Sequence, residues 1–275
     1  MTTAPSATVD RPGSSNANPW LAAATLTRRE ITRFHRQRSR IIGALGTPFV
    51  FWLVIGSGLG ESFQPAGVEA STGYLTYAFP GTIVLILLFT AIFSTISIIE
   101  DRANGFLQGV LVAPISRWSI VLGKIGGGSA VAVAQGLVFL ILGPTIGINL
   151  SAVQIINAVA VMILLAVALS ALGFCIAWTM SSTQGFHAIM NLFLIPMWLL
   201  SGAFFPASGA AWLIAFLIKI NPLSYGVALL RHVIGQPDNT MPGLALCIWV
   251  SLVFGAVMFL AAVRICAEPK RMRET

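Results

Sequence analysis

Between Lys124 and Lys219 the chain has no Asp, Glu, Lys or Arg. No water-soluble domain could cover itself with so long an uncharged stretch. A typical soluble domain has about 25% charged residues. Here they make up 9% of 275 residues, against 56% hydrophobic, with a mean hydropathy of +0.87. These numbers exclude a globular cytosolic enzyme. They also exclude disorder over most of the chain, because disordered segments are polar and charged. The expectation is an all-α, polytopic membrane protein.

A crossing helix needs about 20 mostly apolar residues. The long uncharged run must therefore be divided. Turn clusters at Gly143-Pro144-Thr145-Ile146-Gly147 and Ser181-Ser182-Thr183-Gln184-Gly185 supply the breaks. With the flanking runs, the expected spans are 42–59, 75–99, 120–142, 153–179, 186–203 and 243–265. Residues 1–19 read as a disordered tail without a signal-peptide core. Residues 20–266 read as one transmembrane domain, and 267–275 as a second tail.

Lys and Arg set the orientation. Residues 1–40 hold seven, 100–124 three and 264–275 four, whereas only Lys219 and Arg231 fall on the other side of a six-span chain. The positive-inside rule then places both termini in the cytoplasm. The net charge of +7 is thus a topology signal and not a sign of nucleic-acid binding. Residues 20–40 read as an interfacial helix resting on lipid. Trp20, Ala24, Ile31 and Phe34 share one face, opposite Arg29, Arg33 and Arg36, with Leu26 off pattern. An ordinary basic flank is the alternative.

Familiar chemistry is missing. Gly123-Lys124-Ile125 lacks the Ser or Thr of a phosphate-binding loop. His35, His187 and His232 are scattered, and Cys175, Cys247 and Cys266 have no metal or disulfide spacing. No cofactor or metal is expected on this chain. Any uphill transport would draw its energy from elsewhere.

Two segments carry information. In the first, Glu100-Asp101-Arg102 opens a short apolar helix, with the element placed at 101–113 and ended by Pro114. Leu107, Val110 and Leu111 share a face, either for docking a partner or for resting on lipid. The second runs from Ser201-Gly202-Ala203-Phe204-Phe205-Pro206 through Trp212-Leu213 and Asn221-Pro222-Leu223-Ser224-Tyr225 to Arg231. It is too apolar for a water-exposed loop and too rich in proline for a straight span. Helices over 208–219 and 223–234, forming a hairpin that enters from outside and turns back at Asn221-Pro222, satisfy the backbone. A seventh span is the alternative, but it reverses the C-terminal orientation. Arg231 is expected near the outer headgroups, as a snorkelling anchor or as an outer gate.

Both segments resemble the permease subunits of type-2 ABC exporters, a class that includes drug-resistance, polysaccharide and nodulation-factor exporters. The first motif matches at Glu100, Asp101, Gly105, Leu107, Leu111, Pro114, Ser116 and Arg117. The second matches at Ser201, Gly202, Phe205, Pro206, Trp212, Leu213, Asn221, Pro222, Leu223, Tyr225 and Arg231. The resemblance implies two permease copies, as a homodimer or heterodimer, with two ATPase subunits that hold ATP and Mg. It also implies that the 101–113 helix couples ATPase motion to the spans, and that an amphipathic, lipid-linked or drug-like substrate is exported. Two other functions compete with this one. One is a membrane-embedded enzyme acting on a lipid-linked substrate, and the other is a non-transporting scaffold with an ABC fold.

The orientation can be tested by single-cysteine labelling. In a cysteine-free background, Thr3→Cys and Met272→Cys are expected to react only from the cytoplasm, and Ala66→Cys only from outside. Exterior labelling at either terminus contradicts the six-span arrangement.

Overall fold

The structure, a computed structural model, describes residues 18–59, 73–113, 115–207, 210–236 and 241–268. The expected tail at 1–19 lies almost wholly outside these residues, as do Pro114 and the connection after the first span. Among the described residues the fold is all helical. In chain order the helices are α1 Pro19–Arg36, α2 Arg38–Leu59, α3 Tyr74–Ser94, α4 Ile96–Ala103, α5 Phe106–Val112 and α6 Arg117–Leu140. They continue with α7 Ala152–Thr179, α8 Thr183–Leu199, α9 Trp212–Ile220, α10 Pro222–Val233 and α11 Leu244–Ala267.

Local chemistry explains where the helices start. Asn18 caps α1 with Pro19 in the first turn, where proline's missing N–H costs nothing. Ser151 and Gln154 form a capping box at the start of α7, and the Ser182 hydroxyl accepts from Gly185 N at 3.0 Å to open α8.

Among the described residues, five helical stretches are long and apolar enough to cross a membrane: Ile41–Gly58, Tyr74–Ala103, Arg117–Leu140, Ala152–Thr179 and Leu244–Ala267. Helix α8, expected as the fifth of six spans, has 17 residues and is followed by a turn. Helices α9 and α10 meet at 80°.

Helix α3 is the centre of the bundle. It is buried without a break from Tyr77 to Leu88, whereas α2 and α11 leave many apolar side chains exposed, as lipid-facing helices do. Packing around α3 uses small side chains and a few internal polar bonds, as expected where lipid removes the hydrophobic drive between helices. Trp52 Nε1 donates to Leu75 O at 2.9 Å, Trp198 Nε1 to Gly81 O at 2.9 Å and Ser129 Oγ to Ser170 Oγ at 3.2 Å.

Helix α1 keeps Trp20, Ala24 and Ile31 of the expected face on the outside but buries Phe34. Its buried stripe is Ala23, Leu26, Glu30 and Phe34. The cause lies in α6. A Cβ at Gly123 would come within 2.5 Å of Leu26 Cβ, and one at Gly127 within 2.5 Å of Glu30 Cβ. The glycines of α6 thus let α1 lie directly along it, and Leu26, off pattern for a lipid-resting helix, becomes a packing residue. The apolar face of Trp20, Ala24 and Ile31 remains free beside this contact.

Candidate functional site

The last turn of α4, the middle of α1 and the first half of α6 converge on Asp101. Asp101 is 1% exposed. Arg29 Nη1 and Nη2 each donate to it at 2.8 Å, Arg33 Nη1 donates at 2.9 Å, and Lys124 Nζ donates to Oδ2. Lys124 also bonds Glu30 at 2.6 Å and Ser97 Oγ at 3.2 Å, and Arg33 pairs with Glu100. Three cations therefore meet three anions. A buried charge is costly unless it is paired and hydrogen-bonded, and this balance makes the cluster tolerable inside an apolar bundle. Asp101 holds the Arg29 guanidinium above the ordinary arginine range through its hydrogen bonds and charge, against the opposing effect of burial.

The burial revises the expected role of Asp101. It cannot face a partner, because its oxygens are taken up inside the fold. Glu100 lies at the more exposed edge of the cluster. Arg29, Arg33 and Lys124 were not foreseen as members of this site. Lys124 carried a signal, since an isolated lysine inside an apolar span needs an anion nearby.

The segment expected as one helix over 101–113 is two. Helix α4 ends at Ala103, and Gly105 adopts φ 73° before α5 begins. That left-handed conformation is easy for glycine and strained for other residues. The face expected to dock turns inward: Leu107 is 3% exposed and belongs to the core, and Val110 and Leu111 are half-buried. The outward side carries Phe106, Gln108, Gly109 and Val112, with Val112 86% exposed. Phe106 is not isolated, because the Arg29 guanidinium lies 3.7 Å from its ring centroid. Arg102 anchors α4 to α7 by donating to Met180 O at 2.9 Å and Trp178 O at 2.7 Å.

The second motif assembles at the opposite end of α3. Asn221 Nδ2 donates to Met197 O at 2.6 Å and Leu200 O at 2.8 Å, while its Oδ1 accepts from Leu223 N at 3.0 Å. One side chain thus caps α10 and takes up free carbonyls at the end of α8. Pro222 fills the first position of α10, and Tyr225 Oη donates to Lys219 O at 2.8 Å. Ser201, Gly202 and Pro206 are buried in the turn after α8, and Phe205 is half-buried there. Gly202 has φ 74°. Its carbonyl accepts from Tyr77 Oη at 3.0 Å and from Arg231 Nη2 at 2.9 Å.

Arg231 is 3% exposed, and its guanidinium lies 4.0 Å from the Tyr77 ring centroid. The expected headgroup-facing position is therefore corrected. Turn carbonyls and an aromatic face solvate this charge inside the protein, so Arg231 ties α10 to α3 and cannot meet a passing molecule.

Between the two ends, α2, α3 and α8 line a largely apolar, partly open cavity of about 450 Å³. Phe51, Leu85, Phe89, Phe93, His187 and Trp198 line it. Thr90 is also in its wall and is held by a hydroxyl bond to Gln135 on α6.

The family model described as ABC-2 type transporter matches residues 22–234. Nodulation protein J of Sinorhizobium fredii is 25% identical over 249 residues, covering 90% of this chain and 93% of its own length. Nodulation protein J of Rhizobium meliloti is 24% identical over 224 residues, 80% of this chain and 84% of its own. The Mycobacterium tuberculosis protein named "Probable doxorubicin resistance ABC transporter permease protein DrrC" is 25% identical over 248 residues, 87% of each chain.

The cluster makes a graded prediction. Asp101→Asn leaves buried cations short of an anion and is expected to cost about 3–5 kcal/mol of stability. Glu100→Gln removes a more exposed partner and is expected to cost about 1 kcal/mol or less. Unfolding of the purified protein in detergent measures both, and equal effects would contradict this placement of the charges.

Proposed function

The chain belongs to the ABC-2 type transporter family, and from that membership we propose that it is the membrane-spanning permease subunit of an ATP-driven exporter. A separate ATPase subunit, carrying ATP and Mg, supplies the energy, and two permease copies with two ATPases form the working unit. The observation that carries this reading is the outward side of α5. Phe106, Gln108, Gly109 and Val112 offer a small, half-apolar surface beside the neutral charge cluster. Such a surface suits a groove on a partner better than it suits water.

Six spans account for the sequence when α8 and the turn after it form the fifth. At 1.5 Å per residue, α8 is about 25 Å long, a little short of the roughly 30 Å hydrocarbon core. Helices α9 and α10 are each too short to cross, and we read them as a re-entrant hairpin on the outer side. A broken span made of α9 and α10 would leave the terminal Lys and Arg on opposite sides of the membrane, against the positive-inside rule. In this arrangement the α5 end faces the cytoplasm of a bacterial-type inner membrane.

The cavity between α2, α3 and α8 suits an amphipathic substrate. Its aromatic walls match a ring or an acyl chain, and His187 offers a polar contact. The drug-resistance name of one relative agrees with a drug-like molecule, and lipid-linked substrates fit the same chemistry. The enzyme reading is weaker. The polar groups that cluster among the described residues neutralise one another and leave none poised for reaction.

The docking surface is tested by Val112→Asp. The side chain points away from the fold, so the variant is expected to insert and fold normally yet lose co-purification with its ATPase. A Val112→Asp protein that retains the ATPase at the wild-type level would overturn docking on this face.

A further inference from the structure

Resting on the docking reading above, we propose that Arg29 is the positioning residue that carries ATPase movement from α5 to the cavity wall. It touches both ends of the route. Its guanidinium stacks on Phe106, on the outward side of α5, and makes two hydrogen bonds to buried Asp101. Asp101 sits in the last turn of α4, which continues α3 beyond a single break at Thr95. Leu85, Phe89, Thr90, Phe93 and Ile96 on that same rod line the cavity. Displacing the Phe106 ring therefore displaces Arg29, and through Asp101 it shifts the foot of the cavity-lining helix.

The bond between α4 and α5 is a weak alternative route. Gly105 joins them in a left-handed conformation, has no side chain, and has nothing within 4 Å of where a Cβ would stand. A joint of that kind transmits little torque. The Arg29 bridge bypasses it. The planar fork of arginine suits this task, because one face can stack while the edge bonds a carboxylate in two places. Lysine offers charge without the fork.

The variant Arg29→Gln is expected to fold, because Asp101 keeps Arg33 and Lys124 as partners. The test uses permease–ATPase complexes in which Cys175, Cys247 and Cys266 are replaced by Ala and Ile195→Cys carries an environment-sensitive fluorophore in the cavity wall. Trapping with ATP and vanadate is expected to shift the emission of the otherwise wild-type complex. Arg29→Gln is expected to retain the bound ATPase yet lose about fivefold or more of that shift, and Arg29→Lys to recover part of it. Phe106→Leu, read per bound ATPase, is expected to weaken the shift alone and to add nothing to Arg29→Gln, as for two residues on one route.

A wild-type shift in Arg29→Gln overturns the proposal, as does multiplication of the two effects in the double variant. Loss of ATPase binding in Arg29→Gln would also overturn it, since Arg29 would then merely hold the docking surface in shape. Failure of the docking reading looks different: the Val112→Asp protein then keeps its ATPase.

Discussion

The burial of Asp101 sets the geometry of one end of this protein. A carboxylate on a residue that is 1% exposed in an apolar bundle must be paired. Its partners come from positions 29, 33 and 124, so the folding chain must bring α1 and α6 to the foot of α3. Gly123 and Gly127 permit that approach. Once α1 lies there, Arg29 reaches the ring of Phe106, and α5 is held at a defined place against the bundle. The charges that look like surface features in the sequence therefore act as an internal fastener.

The same physics recurs at the other end of α3 with neutral partners in place of carboxylates. Arg231 is a buried cation, solvated by the carbonyls of Gly202 and Tyr77 and by an aromatic face. Asn221 satisfies the end of α8 and the start of α10 together. The turn after α8, the α9–α10 bend and the first residues of α3 thus form one hydrogen-bonded unit. Helix α3 is gripped at both ends, and the cavity lies along its middle. A movement imposed at one grip must pass the cavity wall before it reaches the other. That is the arrangement a transporter driven from one face requires.

Much of the helical framework can be read from where charges and turn residues fall. Ser151 with Gln154, Ser182 with Gly185, and Asn221 with Pro222 mark helix starts by their own hydrogen-bonding chemistry. What could not be read is pairing across long separations. Nothing local in Arg29 or Lys124 says that each will meet Asp101, 72 and 23 residues away. The inward turn of Leu107 was hidden for a related reason. Periodicity shows that Leu107, Val110 and Leu111 share a face, but not which neighbour covers it. Arg231 misled because an arginine at a bundle end is ordinarily a snorkelling group, and only the carbonyl cluster built by Gly202 makes burial acceptable. The burial of Leu26 on α1 has the plainest cause, since Gly123 on α6 lets it pack there while Trp20 and Ile31 stay exposed.

The central claim is that this chain turns a partner's ATP hydrolysis into movement of its own spans. The most direct measurement is the vanadate-sensitive ATP hydrolysis of the permease–ATPase complex reconstituted in liposomes, compared with the isolated ATPase at equal concentration. The account predicts faster hydrolysis in the complex, responsive to amphipathic compounds that fit the cavity. Identical rates with and without the permease, indifferent to every such compound, would contradict it.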